Sequence, residues 1–292
     1  VSLNFYVIRL LAFLKKNVGA AKKVYKLYNG KTRCFDDLVD HYSHIGGMQI
    51  LTNGSKRLAL ALTSTKLFST VESSYENILH LYGIWFSNYY FLRNAYDSVV
   101  GCAIYISPTA FGYSCRPNAV QILDENFRVQ IRCIHNIFIG VTPTVSLSSN
   151  ICEKSKRYET LAMRLYYNCK CMVCGMERYE PVINYVELNE RRAQLEMKNV
   201  YTDSDFECAM DILKNMRKIY HQYDERITNF YEFNLEKLLC TLDGPHGKML
   251  SPSYVKAFAE QTEENLRMTY GVKHKNYRHY VEKLYPKVLN IK

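Results

Sequence analysis

The chain has 292 residues, with 38 Lys and Arg against 28 Asp and Glu, a net charge of +10 and 48% hydrophobic residues, enough for about two domains with a core in each. Its longest apolar run, Phe5 to Leu14, is interrupted by Arg9 and falls far short of the roughly 20 residues of a bilayer span, so a transmembrane helix is excluded. Ten cysteines dispersed through a long chain with no signal-peptide pattern argue against a secreted disulfide framework and for a reduced, intracellular setting, nucleus or cytoplasm. The positive charge favours acidic partners without dictating a fold. The first residue is Val, so features missing near the start carry no weight.

Residues 3–28 read as a helix, with Tyr6, Ile8, Leu10, Leu11 and Leu14 apolar and Lys15, Lys16, Lys22 and Lys23 polar; Asn29-Gly30 stops it. The lysines read as a solvated face. After a short turn over Phe35 to His41, the pattern is helical from Gly54 to Asn94, strongest from Ser73, with a stripe through Ile78, Leu81, Ile84, Trp85 and Tyr89. From Tyr96 short apolar runs alternate with polar turns. Ala119 to Leu123 and Phe127 to Ile134 read as two strands joined by a hairpin loop at Asp124-Glu125-Asn126. Lys154 to Tyr167 is helical again, as is the chain after Glu180. There Ser251-Pro252 marks a capped helix start, Gly271 a stop, and Val255, Phe258, Ala259, Thr262 and Leu266 one apolar face. Antiparallel helix pairs follow from this pattern, tetratricopeptide-like although no exact repeat is present.

Cys169-Lys-Cys171-Met-Val-Cys174 places three thiols within six residues. That spacing supplies three ligands to a tetrahedral zinc ion from one tight turn, with the fourth drawn from elsewhere. Lys170 and Arg164 nearby favour thiolates. Three reduced loop cysteines, or a disulfide, are the alternatives.

The run from Ile84 through Asn88 to Ala95, then Gly112-Tyr113-Ser114-Cys115-Arg116-Pro117-Asn118, resembles the SET domain of the SET and MYND (SMYD) family of protein-lysine methyltransferases. Ile131 to Gly140 is similar to the strand ending in that family's G-E-E-L segment, and Arg157 to Cys174 to its post-SET closure. Thr269-Tyr-Gly271-Val-Lys-His274 resembles part of its C-terminal helical domain. The likeness spans nearly the whole chain. It implies an α+β fold: a SET region over 1–150 (leading helix 1–30, helical insertion 55–95, strand-rich, knot-like core 96–150), a zinc-bound post-SET segment over 151–178, and an all-α domain over 179–292, cut short. It also implies the zinc ligands Cys115, Cys169, Cys171 and Cys174. The family's MYND finger lies upstream of residue 1, and Cys34 is the only cysteine before Cys102.

The same resemblance implies S-adenosylmethionine as cofactor. Asn88 matches a cofactor-contacting asparagine, Tyr167 the aromatic residue covering the adenine, and Gly112 and Tyr113 stand where the family's N-H-S-C motif has its cofactor-holding asparagine and histidine. Leu147 replaces the tyrosine that follows G-E-E-L-T, and Leu165 falls on a second family tyrosine, with Tyr166 one position away. Methyl transfer from a sulfonium to an amine depends on alignment and water exclusion. Three such losses therefore favour a weak or inactive methyltransferase, a scaffold binding protein partners through a basic helical domain. The alternative is an active histone or protein lysine methyltransferase in which Tyr113, Tyr158 or Tyr166 takes over the lost roles. Nucleic-acid binding ranks lower, because no basic run with interleaved aromatics stands out.

Overall fold

A 3.6-residue apolar period gives α1 (Leu3–Lys16), which buries Val7 and Leu11 one turn apart and ends on Lys15 and Lys16, cations set against the carbonyl end of the helix dipole. The computed structural model describes residues 3–93, 99–146, 152–166, 168–175, 183–244 and 250–291. The chain divides into two compact units, residues 1–110 with 162–167 and residues 111–161 with 168–292. It is mixed α/β, mostly helical, with four two-stranded sheets among the described residues. Among these residues no helix is long and apolar enough to cross a membrane.

The first unit corrects two readings. The helix expected over 3–28 ends at Lys16: Asn17 turns its side-chain amide back onto the Phe13 carbonyl at 2.8 Å, and Gly19 takes a φ of 83°. Residues Tyr25–Lys26 (β1) and Thr32–Arg33 (β2) then pair antiparallel, so Asn29-Gly30 is the bend of a small hairpin, with Gly30 at φ 79°. The helical stretch expected over 54–94 is likewise two helices and a strand. After the one-turn α2 (Tyr42–Ile45), α3 (Gln49–Thr65) starts ahead of Gly54 and stops at Lys66, which adopts φ 55°. α4 (Tyr75–Asn88) begins at Ser74, whose hydroxyl accepts from the Asn77 N–H at 3.2 Å.

Its stripe is buried at Ile78, Leu81 and Ile84. The pattern breaks at Tyr89, because Tyr89–Arg93 (β3) is aromatic-rich and finds an antiparallel partner in Val99–Ile104 (β4), Phe91 opposite Cys102. Trp85 and Tyr89 still stack at 4.5 Å, now across a helix–strand junction.

The second unit opens with β5 (Gly112–Tyr113), parallel to β8 (Thr144–Val145), and with the hairpin of β6 (Ala119–Leu123) and β7 (Val129–Cys133). The expected Asp124 loop closes that hairpin: the Asp124 carboxylate accepts from the Asn126 and Arg128 N–H groups at 2.9 and 2.8 Å. α5 (Lys154–Leu165) and the one-turn α6 (Met172–Gly175) follow. Then come α7 (Tyr185–Met197), α8 (Asp203–Ile219), α9 (Glu225–Asp243), α10 (Pro252–Thr269), α11 (Lys275–His279) and α12 (Tyr285–Leu289).

Successive long helices run antiparallel. Arg191 of α7 bonds Asp211 of α8 at 2.7 Å, Tyr201 ahead of α8 donates its N–H to Thr241 late in α9 at 3.0 Å, and Thr228 early in α9 meets Thr269 late in α10 at 2.7 Å. All five predicted face residues of α10 are buried, and Gly271 follows its end at φ 82°. Pro252 occupies the first turn as read, but Ser251 supplies no side-chain cap; its hydroxyl pairs with that of Ser253 at 2.9 Å. The helices and the β6–β7 hairpin share one core, in which Val120, Ile122 and Ile134 join Leu213, Leu235 and Phe258. One compositional expectation fails: residues 179–292 hold seventeen Lys and Arg against seventeen Asp and Glu, so the helical domain is neutral and not basic.

Candidate metal centre

The centre is assembled from two chain segments of the second unit. The first leaves β5 and turns before β6. Ser114 donates its N–H to the Val145 carbonyl at 3.0 Å, and its hydroxyl bonds across to the Arg116 carbonyl at 3.0 Å. The buried Asn118 then accepts the Thr144 N–H at 2.6 Å and donates to the Thr142 carbonyl at 3.2 Å. Cys115 is therefore held between two anchors on the β8 segment. The second segment follows α5, where Cys171 starts a single helical turn: its carbonyl accepts from the N–H groups of Cys174 and Gly175 at 3.0 and 2.8 Å.

The four sulfurs of Cys115, Cys169, Cys171 and Cys174 all lie within 4.8 Å of one another. Cys115 Sγ is 3.9 Å from Cys169 Sγ and 3.4 Å from Cys174 Sγ. A disulfide needs about 2.05 Å, and none of the ten cysteines is in one. Cys169 and Cys174 are buried, Cys115 and Cys171 half-buried. These residues can bind a metal ion. Their electrostatics are those of thiols sharing protons at close range. Hydrogen bonds to Cys169 and Cys171, with burial, push the Cys115 thiol far up; Cys169 is pushed up to about 11, where bonding to Cys115 lowers it and Cys171 and burial raise it. Hydrogen bonds from Cys115 and Cys169 hold Cys171 far below its ordinary value. A metal ion displaces these protons and is in turn opposed by them, which makes binding pH-dependent.

Two neighbours from α5 complete the surroundings. Tyr158 donates its hydroxyl to the Cys169 carbonyl at 3.0 Å and reaches the Cys174 carbonyl at 3.4 Å, bracing the cysteine turn. Arg157 is buried at 4% exposure and bonds the Cys152 carbonyl. Burial works against its charge, but the Cys115 sulfur, Tyr185 and Cys174 together hold its pKa above the ordinary value. A buried cation beside a thiolate cluster offsets part of its negative charge. Sequence reading missed this role for Arg157. The signal available was an Arg-Tyr pair on the helix leading into the cysteines, which has no meaning until the turn folds back.

The other expected site residues are each placed within their own unit. Asn88, buried at the end of α4, donates its two amide hydrogens to the Val39 and Ile84 carbonyls, both at 2.8 Å. Gly112 lies in β5 opposite Thr144, and a Cβ there would stand 3.3 Å from Thr144 Cγ2. Tyr113 is half-buried and pairs with Val145. Tyr166 adopts φ 48°, stacks on His44 at 4.7 Å and donates its hydroxyl to Met48 Sδ at 2.7 Å. Tyr167 and Leu147 lie outside the described residues.

No protein-family model matches the chain, and no curated protein matches it.

Proposed function

We propose that the chain is a divergent SET and MYND-like domain whose zinc-bound post-SET segment stabilises a fold with degraded methyl-transfer machinery, serving as a scaffold for protein partners. The observation that carries this reading is the four-cysteine cluster. With zinc–sulfur bonds near ~2.3 Å, neighbouring sulfurs of a tetrahedron stand roughly 3.8 Å apart by geometry, inside the range the four thiols span. Zinc there would be a closed structural ion held by Cys115, Cys169, Cys171 and Cys174, ordering the segment and supplying no open coordination position. The passage of residues 112–118 against β8 supports the knot-like core that the resemblance implies, and the antiparallel helices support its tetratricopeptide-like tail.

The catalytic side of the resemblance finds less support. An asparagine side chain at position 112 would have to grow from a Cβ already against Thr144. Asn88 spends both amide hydrogens on backbone carbonyls, and the Tyr166 hydroxyl is spent on Met48. If each missing interaction with cofactor or amine costs about 2–3 kcal/mol in the transition state, the combined rate loss is many thousandfold. The test is calorimetric binding of S-adenosylmethionine to the zinc-loaded protein, followed by methyl transfer to histones and peptides. The scaffold reading expects no binding and no turnover. Turnover that Tyr166→Phe abolishes would establish the methyltransferase instead.

A further inference from the structure

Eight of the ten net positive charges lie in residues 1–33, which contain no Asp or Glu at all. Folding spreads that segment over α1, a 3-10 turn (Ala20–Lys22) and the β1–β2 hairpin, and leaves Arg9, Lys16, Lys22, Lys23, Lys26 and Lys31 exposed. Of the segment's cations, only Lys15 forms an ion pair among the described residues, with Glu72 at 3.7 Å. Aromatic and apolar side chains are exposed between them, including Phe5, Phe13, Val18, Tyr25 and Tyr28.

Of these, Phe5, Arg9, Phe13, Val18, Lys23 and Tyr25 border a cleft of about 1200 Å³ whose lining lies wholly within the first unit. Its walls carry the rings of Phe5, Tyr6, Phe13, Tyr25, Phe35 and Trp85; among the described residues its only charged ones are Arg9 and Lys23, and no carboxylate lines it. Both cations sit against rings, the Arg9 guanidinium 5.4 Å from the centre of Phe5 and the Lys23 ammonium 5.7 Å from that of Tyr25. Tyr6 stacks on Trp85 at 5.1 Å. Sequence reading passed over Lys22-Lys23-Val-Tyr25-Lys26-Leu-Tyr28-Asn-Gly-Lys31, where cations and aromatic residues interleave; the rings of α1 and α4 join them only in the fold.

We propose that this face of the first unit binds single-stranded nucleic acid, with backbone phosphates tracking the lysines of 16–31 and bases entering the aromatic cleft. Cationic tracks with stacking rings are the means by which proteins hold single strands. The cleft exceeds the ~300–1,000 Å³ of ordinary small-molecule pockets, which suits a segment of polymer. Duplexes keep their bases stacked inside and present only edges and phosphates, whereas the cleft offers the exposed rings of Phe5, Phe13 and Tyr25. An anionic bilayer would find the lysines but has no planar group to fill a concave, ring-lined floor.

The experiment is fluorescence anisotropy of the full chain with a labelled 20-nucleotide oligo-dT or oligo-rU strand across a salt series, with circular dichroism to verify folding of each variant. Binding that weakens with salt is expected. The surface variant Lys23→Gln/Lys26→Gln, which removes two exposed charges from the phosphate track, should reduce the slope of log affinity against log salt by about 1.4, near 0.7 for each phosphate no longer neutralised. Tyr25→Ala should weaken binding about 5- to 100-fold, the effect of unstacking one base. Lys273→Gln/Lys283→Gln, which removes two exposed charges from the second unit, should leave both affinity and slope nearly unchanged. No binding at 50 mM salt would overturn the proposal. So would equal reductions in the two double variants, tighter binding of duplex than of single strand, or preferential binding to phosphatidylserine vesicles that oligo-dT does not compete away.

Discussion

Tyr158 and His274 show how single side chains set local stability. Tyr158 ties the carbonyls of Cys169 and Cys174 to α5 through one hydroxyl. Removing it leaves the four sulfurs in place and frees the turn that carries three of them. Tyr158→Phe should cost about 1 kcal/mol, read as a roughly fivefold faster loss of metal to a chelator with metal stoichiometry unchanged; an unaltered release rate would remove Tyr158 from the support of the centre. His274 precedes α11, accepts the Asn276 N–H and stacks on Tyr270 at 4.6 Å. Burial, then the charge of Lys275, lowers its pKa from 6.5 to about 4, against the opposing pull of the Leu123 backbone and Glu125, with Arg132 adding to the lowering.

The neutral ring is therefore the folded form. Between pH 6.5 and about 4 the unfolded chain binds more protons than the folded one, so this stability is fully present above pH 6.5 and is lost as pH falls through the window. The group is partly solvated, so solvent screening keeps the effect to about 1–2 kcal/mol. Denaturation midpoints compared at pH 7 and pH 4.5 should show the difference. His274→Asn, which keeps an acceptor for the cap without a titrating ring, should reduce it, leaving the share of His41 and His221, which burial also holds below their ordinary value.

At the scale of elements, what the sequence made legible depended on whether a signal was local. The β6–β7 hairpin is announced by Asp124-Glu125-Asn126 between two apolar runs, and α10 by Pro252 and Gly271, and each folds about where those residues place it. The strand β3 was not legible, because Tyr89 continues the helical period of Ile78, Leu81 and Trp85 and is claimed for a strand only by its partner β4, ten residues on. The end of α1 was hidden for a similar reason: the apolar period outlasts the helix, and a side-chain bond from Asn17 and the left-handed Gly19 decide the matter. Of the centre, the Cys169–Cys174 turn was legible from spacing. Cys115 came only from a resemblance, and Arg157 only from the fold.

Gly83 of α4 was marked by neither. A Cβ there would lie 2.1 Å from the backbone oxygen of Asp40, an atom that cannot rotate away. Gly83→Ala should destabilise the first unit by about 2–4 kcal/mol despite the better helix propensity of alanine. A thermal midpoint equal to that of the parent would show that the 40–45 segment does not pack on α4 this closely.

On the scale of the molecule, the positive charge and the cysteine cluster are allotted to different parts of the chain. The positive charge is concentrated in the first 33 residues, the helical domain is neutral, and the cysteine centre lies in the second unit. Nucleic-acid binding and metal binding should therefore be separable by mutation. Zinc content and X-ray absorption on the native protein decide whether Cys115, Cys169, Cys171 and Cys174 hold one structural zinc ion, as proposed. One zinc per chain with four sulfur neighbours at about 2.3 Å is expected, lost in Cys171→Ser along with protection of residues 152–178 from protease, while the helical domain stays folded. Equal zinc content in Cys171→Ser and the parent, or a first shell of nitrogen and oxygen, would contradict it.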